Sequence, residues 1–315
     1  MGIQLNNGKY ALNLQKLTFG AGNFDNLDRT EDYFHLLDIY YNDFGGRSFD
    51  TARIYGEGIS EQVLGKWIRE RGIPRDEIVI TTKGGHPPLD DMHSHRLDRD
   101  SICFDMDASL AALDLSYVDI YLLHRDCEAL PVSGIIDALN ELVKAGKTRF
   151  IGVSNWSTAR IAEANRYAAD NGLVPLSISQ INFSLARTTP EQLQDDTLVC
   201  MNEENYKWYL ENHFPVMAFS SQAKGFFSKL IANEGATPKI QQRFVTEENL
   251  KRLERVKALS EKLKVSPAAA ALAYLTCNPV QTSAVFSCRT EEQLRDTMSA
   301  KGVTLDGETV RLLEG

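Results

Sequence analysis

Along almost the whole chain, short runs of β-branched and other apolar residues alternate with longer stretches whose apolar positions recur every three to four residues. The first kind of run reads as a strand buried on both faces, the second as a helix with one buried stripe. Strands are predicted at Lys16–Phe19, Arg47–Thr51, Ile78–Thr82, Val118–Leu123, Thr148–Val153, Leu176–Ile181, Pro215–Phe219 and Thr282–Phe286. Helices are predicted at Thr30–Asn42, Ser60–Arg71, Arg99–Leu113, Val132–Lys144, Thr158–Asn171, Glu203–Asn212, Glu247–Leu263, Pro267–Cys277 and Glu291–Ala300. Ahead of them, Ile3–Ala11 reads as a β-hairpin with Asn6-Asn7-Gly8 at its turn.

Strands that alternate with helices are parallel, because the return path crosses over through the helix. Eight such units in 315 residues, with no composition break between them, predict one domain over residues 1–315. Its expected fold is a closed (β/α)8 TIM barrel with the hairpin closing the bottom. An open doubly wound sheet is the alternative. Its phosphate-binding turn needs glycine at three positions, and the best candidate, Gly20-Ala21-Gly22-Asn23-Phe24-Asp25, has Asp25 at the third. Two connections, Gly84–Leu97 and Ala223–Thr246, read as long loops, which in a compact domain are often functional.

Charge narrows the range of partners. With 34 Lys and Arg against 43 Asp and Glu, the net charge is −9, which argues against nucleic acid or an anionic membrane. The first ten residues are too polar for a secretory signal, and Asn6 stands where a myristoylation pattern wants Ser or Thr. No apolar run nears the roughly 20 residues of a spanning helix. The five cysteines are scattered without zinc-ligand or redox spacing, as in a reduced cytoplasmic protein.

A barrel carries its active site at the C-terminal ends of the strands. There the sequence places Asp50, Lys83 and His124 at three successive strand ends, and Tyr55 one short turn beyond Asp50. Singly, they read as a cap, a solvated charge, a structural histidine and a rim aromatic. Together they suit proton delivery to a carbonyl. A phenol with a pKa of about 10 is a weak acid near neutrality, and an adjacent ammonium favours its phenolate. Lys83 would act so on Tyr55, and Asp50 would hold Lys83 charged. His124 would donate a hydrogen bond to the same substrate oxygen, and Tyr55 would serve as acid in reduction and base in the reverse direction.

The motifs Asp50-Thr51-Ala52-x-x-Tyr55-Gly56, Ser60-Glu61-x-x-Leu64-Gly65, Lys83, Asp119-Ile120-Tyr121-Leu122-Leu123-His124 and Gly146-Lys147-x-x-x-Ile151-Gly152-Val153-Ser154-Asn155 follow in this order. With them the chain resembles the aldo-keto reductases from Lys16 to about Ala300. The resemblance implies a (β/α)8 barrel, a catalytic tetrad of Asp50, Tyr55, Lys83 and His124, and a nicotinamide cofactor as the hydride source, which no side chain can be. It assigns Gly20 to the cofactor site and Ser154, Asn155 and Gln180 to the nicotinamide carboxamide. Phe219 falls at the ring-stacking position, where Tyr or Trp is more usual, and alone would read as a core aromatic. Ser220, Gln222 and Gly225 would approach the pyrophosphate.

The segment Ser287-Cys288-Arg289-Thr290-Glu291-Glu292-Gln293-Leu294 resembles the stretch that meets the adenosine 2′-phosphate. The planar fork of Arg289 suits a phosphate and favours NADP(H) over NAD(H), with Gln293 near the adenosine. Arg289 also reads as an exposed charge at a helix start. Ser287 and Thr297 depart from the family, which commonly has Gly and Asn there. His86, Arg125 and Trp156 are the substrate-pocket candidates. His86, His93 and His95 have no further ligand cluster beside them, so no metal is expected. The expected activity is NADP(H)-dependent reduction of an aldehyde or ketone to the alcohol. The alternative is a nucleotide-binding regulatory subunit of the same fold, as the potassium-channel β subunits resemble.

Overall fold

The computed structural model describes residues 2–315. Their packing divides into two compact units, the first ending at Gln180 and the second running from Ile181 to Gly315. In the first, a hairpin of β1 (Ile3–Asn6) and β2 (Ala11–Leu14) precedes β3 (Leu17–Gly20), α1 (Thr30–Asp38) and β4 (Ser48–Asp50). Next come α2 (Ile59–Glu70), β5 (Val79–Gly84), α3 (Arg99–Leu113), β6 (Val118–Leu123), α4 (Val132–Lys144), β7 (Thr148–Ser154) and α5 (Thr158–Asp170). The boundary falls within β8 (Ser179–Asn182). The second unit continues with α6 (Pro190–Leu193), α7 (Glu203–Glu211), β9 (Val216–Phe219), α8 (Phe226–Ile231) and α9 (Pro238–Phe244). It ends with α10 (Glu247–Leu263), α11 (Pro267–Thr276), β10 (Thr282–Phe286), α12 (Glu291–Ser299) and α13 (Gly307–Glu314).

The eight parallel strands form a closed barrel in the order β10-β3-β4-β5-β6-β7-β8-β9, and the hairpin is a separate antiparallel pair. Every residue of β3, β4, β5 and β6 is buried. Such strands need apolar or paired side chains on both faces, which is why they read as continuous runs rather than alternating ones. Outside β4, a cluster of Tyr40, Phe49 and Trp67 packs rings 5.3 to 5.4 Å apart against α1 and α2. The helices start where short polar side chains satisfy open backbone amides. Asp98 accepts from Ser101 N–H at α3, and Ser157 from Arg160 N–H at α5.

The hairpin is longer than predicted, pairing Ile3 with Leu14 and Asn6 with Ala11. It meets the barrel at the N-terminal end of β7, where the Asn7 side chain donates to the Arg149 carbonyl at 2.8 Å. The same end is braced by Asp119, whose carboxylate takes Arg75 at 2.7 Å and Arg149 at 3.1 Å. Asp119 of the His124 motif is therefore a structural residue at the end of the barrel away from the candidate site.

The expectation of a long loop over Ala223–Thr246 is corrected, because α8 and α9 lie inside it. Each is only about two turns long, too short to print a periodic stripe in the sequence. The start of α9 does carry a local signal. Thr237 accepts from Ile240 N–H, and Pro238 occupies the first helical position.

Gly65 illustrates a motif residue fixed by packing. A Cβ there would lie 2.2 Å from the Leu113 carbonyl oxygen, so α2 and α3 approach through it. Gly65→Ala should lower unfolding stability by about 1–3 kcal/mol through overpacking, against the ~1 kcal/mol that alanine gains in a helix. Urea denaturation reads the change, and an unmoved midpoint would show that the helices can part at no cost.

Candidate active site

The parallel pairing β4-β5-β6 sets the ends of three strands side by side, with Asp50 opposite Thr81 and Lys83 opposite Leu122. His124 directly follows β6, its N–H donating to the Gly84 carbonyl at 2.8 Å. Tyr55 sits in the turn after β4, which is pinned by Arg53 N–H on the Lys83 carbonyl at 2.9 Å. The Arg53 side chain makes a 2.7 Å ion pair with Glu61, itself fully buried and bonded by Thr82 at 2.6 Å. The Ser-Glu pair of the motif thereby fastens α2 to the turn that carries Tyr55.

Lys83 has no exposed surface. Its Nζ lies 2.7 Å from Asp50 Oδ2, 2.8 Å from the Thr51 carbonyl and 3.4 Å from the Tyr55 hydroxyl. An ammonium has three hydrogens to donate, and three acceptors surround it. Burial alone would lower the Lys83 pKa, but the attraction of Asp50 and Tyr55 outweighs it and the net shift is upward. The group is a cation at neutral pH. The other Asp50 oxygen accepts from Gln180 Nε2 at 2.8 Å, so both carboxylate oxygens are held.

His124 is also buried, and its ring stands edge-on to Tyr55 with centroids 5.6 Å apart. Burial first, then the positive charge of Lys83, His86 and Arg125, pushes its pKa well below the ordinary value. The ring is therefore neutral at pH 7 and carries one proton. Its Nδ1 has no hydrogen-bond partner among the described residues. Tyr55 is partly exposed.

Ser154, Asn155 and Gln180 gather at the ends of β7 and β8. Ser154 Oγ donates to the Gln180 carbonyl at 2.8 Å, and Asn155 Nδ2 reaches the His124 carbonyl at 3.2 Å. Asn155 has φ +60°, a left-handed conformation that Asn tolerates better than most residues. Gly20, at the end of β3, pairs with Asp50. Sequence reasoning missed Gly22, whose Cβ would lie 3.5 Å from the Tyr55 ring; only its place in a Gly-x-Gly run gave a signal.

Two pocket candidates are buried and bonded to the backbone beside His124. Trp156 has no exposed surface, and its indole N–H donates to the Arg125 carbonyl at 3.1 Å beneath the Arg160 guanidinium. Arg125 is buried and turns its guanidinium back onto the His124 carbonyl at 3.0 Å. Both brace the loop after β6, which Arg160 of α5 holds through Asp126 and the Cys127 and Leu130 carbonyls. His86 is partly exposed, with its ring edge-on to that of His124 at 4.8 Å. His93 and His95 are exposed, and no group of His, Cys, Asp and Glu among the described residues is arranged to hold a metal.

The second unit holds the remaining candidates. Phe219 ends β9 and is partly exposed, so it is not a core aromatic. After it, Ser220, Ala223 and Lys224 take φ values of 53°, 46° and 54°, followed by Gly225 at 81°. Non-glycine residues in this region cost of order 1 kcal/mol or more each and cluster at functional sites. Successive turns of this kind form anion-binding concavities of backbone N–H groups. Ser221 anchors the segment on the Val285 carbonyl at 2.7 Å, and Gln222 donates to Thr297 at 2.9 Å. Thr297, one of the two departures from the resemblance, thus holds Gln222.

Arg289 and Ser287 are exposed after β10, and Arg289 N–H donates to Gln293 Oε1 at 2.9 Å. The surrounding protein first, then the charges of Arg243, Lys239 and Arg289, push the Lys224 pKa down. Four cations therefore share one region of a chain whose net charge is −9. Lys239 and Arg243 lie on α9, one of the short helices missed in the sequence. Among the described residues no helix is long and apolar enough to cross a membrane.

A parallel eight-stranded barrel with these strand ends has known counterparts. The Aldo/keto reductase family model matches residues 16–315, and the chain belongs to that family. The family generally uses a nicotinamide cofactor. The chain is 29% identical to an uncharacterized oxidoreductase, YrpG, of Bacillus subtilis, covering 97% of this chain and 93% of that protein. It is also 29% identical to a probable voltage-gated potassium channel subunit beta of Arabidopsis thaliana, covering 95% and 90%. An aryl-alcohol dehydrogenase of Pestalotiopsis microspora is 27% identical, covering 89% and 71%. The crystal structure of the thermostable aldo-keto reductase Tm1743 with the inhibitor epalrestat has the same fold, with a TM-score of 0.75 at 21% identity over 100% of this chain and 98% of that one.

Proposed function

We propose that this protein reduces an aldehyde or ketone to the alcohol with NADP(H). The observation that carries the reading is the Lys83 ammonium enclosed between the Asp50 carboxylate and the Tyr55 hydroxyl. When bound, the nicotinamide supplies a hydride. The residues of the chain do the rest. Tyr55 gives its proton to the carbonyl oxygen, and the charge of Lys83 stabilises the phenolate left behind. Asp50 keeps Lys83 charged and in place. The neutral His124 donates a hydrogen bond to the same oxygen and draws charge onto it. Ser154, Asn155 and Gln180 would hold the carboxamide, whose donors and acceptors they match.

The segment Ser220–Gly225, with four of its six residues left-handed, and the cations around Lys224 fit the polyanionic end of such a dinucleotide. Arg289 is the residue we assign to a 2′-phosphate. Arg289→Ala should weaken NADPH binding by about ten- to a hundredfold, the worth of a charged hydrogen-bonded contact. NADH binding should hardly move. Nucleotide fluorescence titrations read both, and equal losses would remove the 2′-phosphate contact.

The reading as a whole is tested by titrating the protein with NADPH and NADH and then adding a panel of small aldehydes. Repeated turnover under excess aldehyde supports a reductase. The potassium-channel names among the relatives favour a second reading, a nucleotide-binding regulatory subunit. Tight nucleotide binding without turnover on any carbonyl would support it instead.

A further inference from the structure

We propose that Arg53 is a positioning residue for the general acid. Its guanidinium, anchored on Glu61, holds closed the strained turn after Tyr55 and so keeps the Tyr55 hydroxyl beside Lys83. The inference rests on the carbonyl-reduction reading, in which Tyr55 gives up the proton.

The backbone of this turn is under strain. Gly56 and Glu57 have φ values of 55° and 54°, and Gly58 follows at 95°, so three left-handed residues stand in succession. Glycine takes such angles freely. Glu57 does not, and strain of this kind persists only where the surroundings enforce it. The Tyr55 hydroxyl lies 3.4 Å from Lys83 Nζ, a long hydrogen bond that does not by itself fix the ring. Where the hydroxyl stands therefore depends on the backbone that carries it.

Arg53 supplies the constraint. Its backbone N–H donates to the Lys83 carbonyl at 2.9 Å. One guanidinium nitrogen, Nη2, donates across the turn to the Glu57 carbonyl at 2.7 Å, and the other, Nη1, donates to Glu61 at 2.7 Å. A Cβ on Gly58 would lie 1.6 Å from Nη2, so the guanidinium packs against the bare backbone of Gly58. Glu61 is a firm anchor, because its side chain has no exposed surface and its second oxygen accepts from Thr82 of β5 at 2.6 Å. The arginine thus ties the strand that carries Lys83 to the turn that carries Tyr55. Its planar fork serves both acceptors at once.

The test uses an aldehyde that the wild type reduces, with kcat, KM and NADPH affinity measured together. Arg53→Met removes both guanidinium contacts and keeps an apolar stem. It should lower kcat about ten- to a hundredfold, the cost of misplacing a reacting group by about an ångström, while KM and NADPH binding change little. Arg53→Lys, which keeps a charge for Glu61 without the fork, should recover part of kcat. In the Tyr55→Phe background, adding Arg53→Met should slow turnover by less than about twofold, because a residue that acts through a hydroxyl has no effect once the hydroxyl is gone. The turn itself is read by a glutamyl endopeptidase, whose cleavage after the exposed Glu57 should quicken in Arg53→Met. An unchanged kcat, a loss as large in the Tyr55→Phe background as in the wild type, or cleavage after Glu57 at the wild-type rate overturns the role of Arg53 and leaves the reductase reading intact. If Arg53→Met does not fold, Arg53→Lys carries the same comparisons. Failure of the wild type to reduce any carbonyl overturns both readings.

Discussion

Tyr55→Phe is expected to cut kcat for aldehyde reduction by about two to four orders of magnitude, the usual contribution of a positioned general acid, while NADPH binds as before. The substitution removes one oxygen from a partly exposed ring and leaves its packing against Gly22 and His124 in place. It does not touch the groups that hold Lys83 besides that oxygen, because Asp50 and the Thr51 carbonyl remain 2.7 and 2.8 Å away. A loss confined to kcat, with KM little changed, identifies an interaction made in the transition state. Stopped-flow or steady-state assays at saturating NADPH measure it. Undiminished turnover would move the proton donor elsewhere, with His124 the next group in reach.

Lys83→Met should act on stability and turnover together. The lysine is the charged partner of Asp50, whose side chain is almost wholly buried. Removing it leaves a carboxylate with Gln180 as its remaining side-chain partner. Breaking a buried pair from one side costs about 3–5 kcal/mol, because the orphaned charge stays desolvated. Urea unfolding should show that loss, and the phenolate that forms at Tyr55 would lack its counter-charge, so turnover should fall as well. Adding Asp50→Asn to Lys83→Met should recover much of the stability and none of the activity. A double variant as unstable as the single one would mean that packing of the lysine stem, rather than charge, holds this place together.

Much of this arrangement was legible in the chain. Most barrel strands contain a short apolar run, β8 (Ser-Gln-Ile-Asn) being an exception, and in β4, β5 and β6 the polar residue that ends or follows the run lies beside those of its neighbours. The barrel convention therefore places Asp50, Lys83 and His124 together from the sequence alone. What could not be read is whatever depends on two distant segments meeting. Gln180 bonds Asp50 across 130 residues of sequence. Lys239 and Arg243 crowd Lys224 only because two-turn helices fold where the sequence pattern gave a loop. Trp156 read as a rim aromatic because it follows Asn155, but its surface is covered by residues that the sequence does not place beside it. His86 stands beside His124 next to Gly85, whose N–H is held by the Asp105 carboxylate at 2.8 Å, a contact no local motif signals.

The three tethers on Lys83 also bear on chemical safety. A neutral amine beside an aldehyde attacks the carbonyl and traps it as an imine, a fate open to any reductase that draws such compounds toward a lysine. Here the nitrogen has no free lone pair, since its raised pKa keeps it protonated and each hydrogen faces an acceptor. In the proposed reaction, the arrangement that would ready Tyr55 to give up a proton also keeps the neighbouring amine from attacking an aldehyde. If the protein turns over aldehydes as proposed, such a site would pass through many cycles without consuming itself.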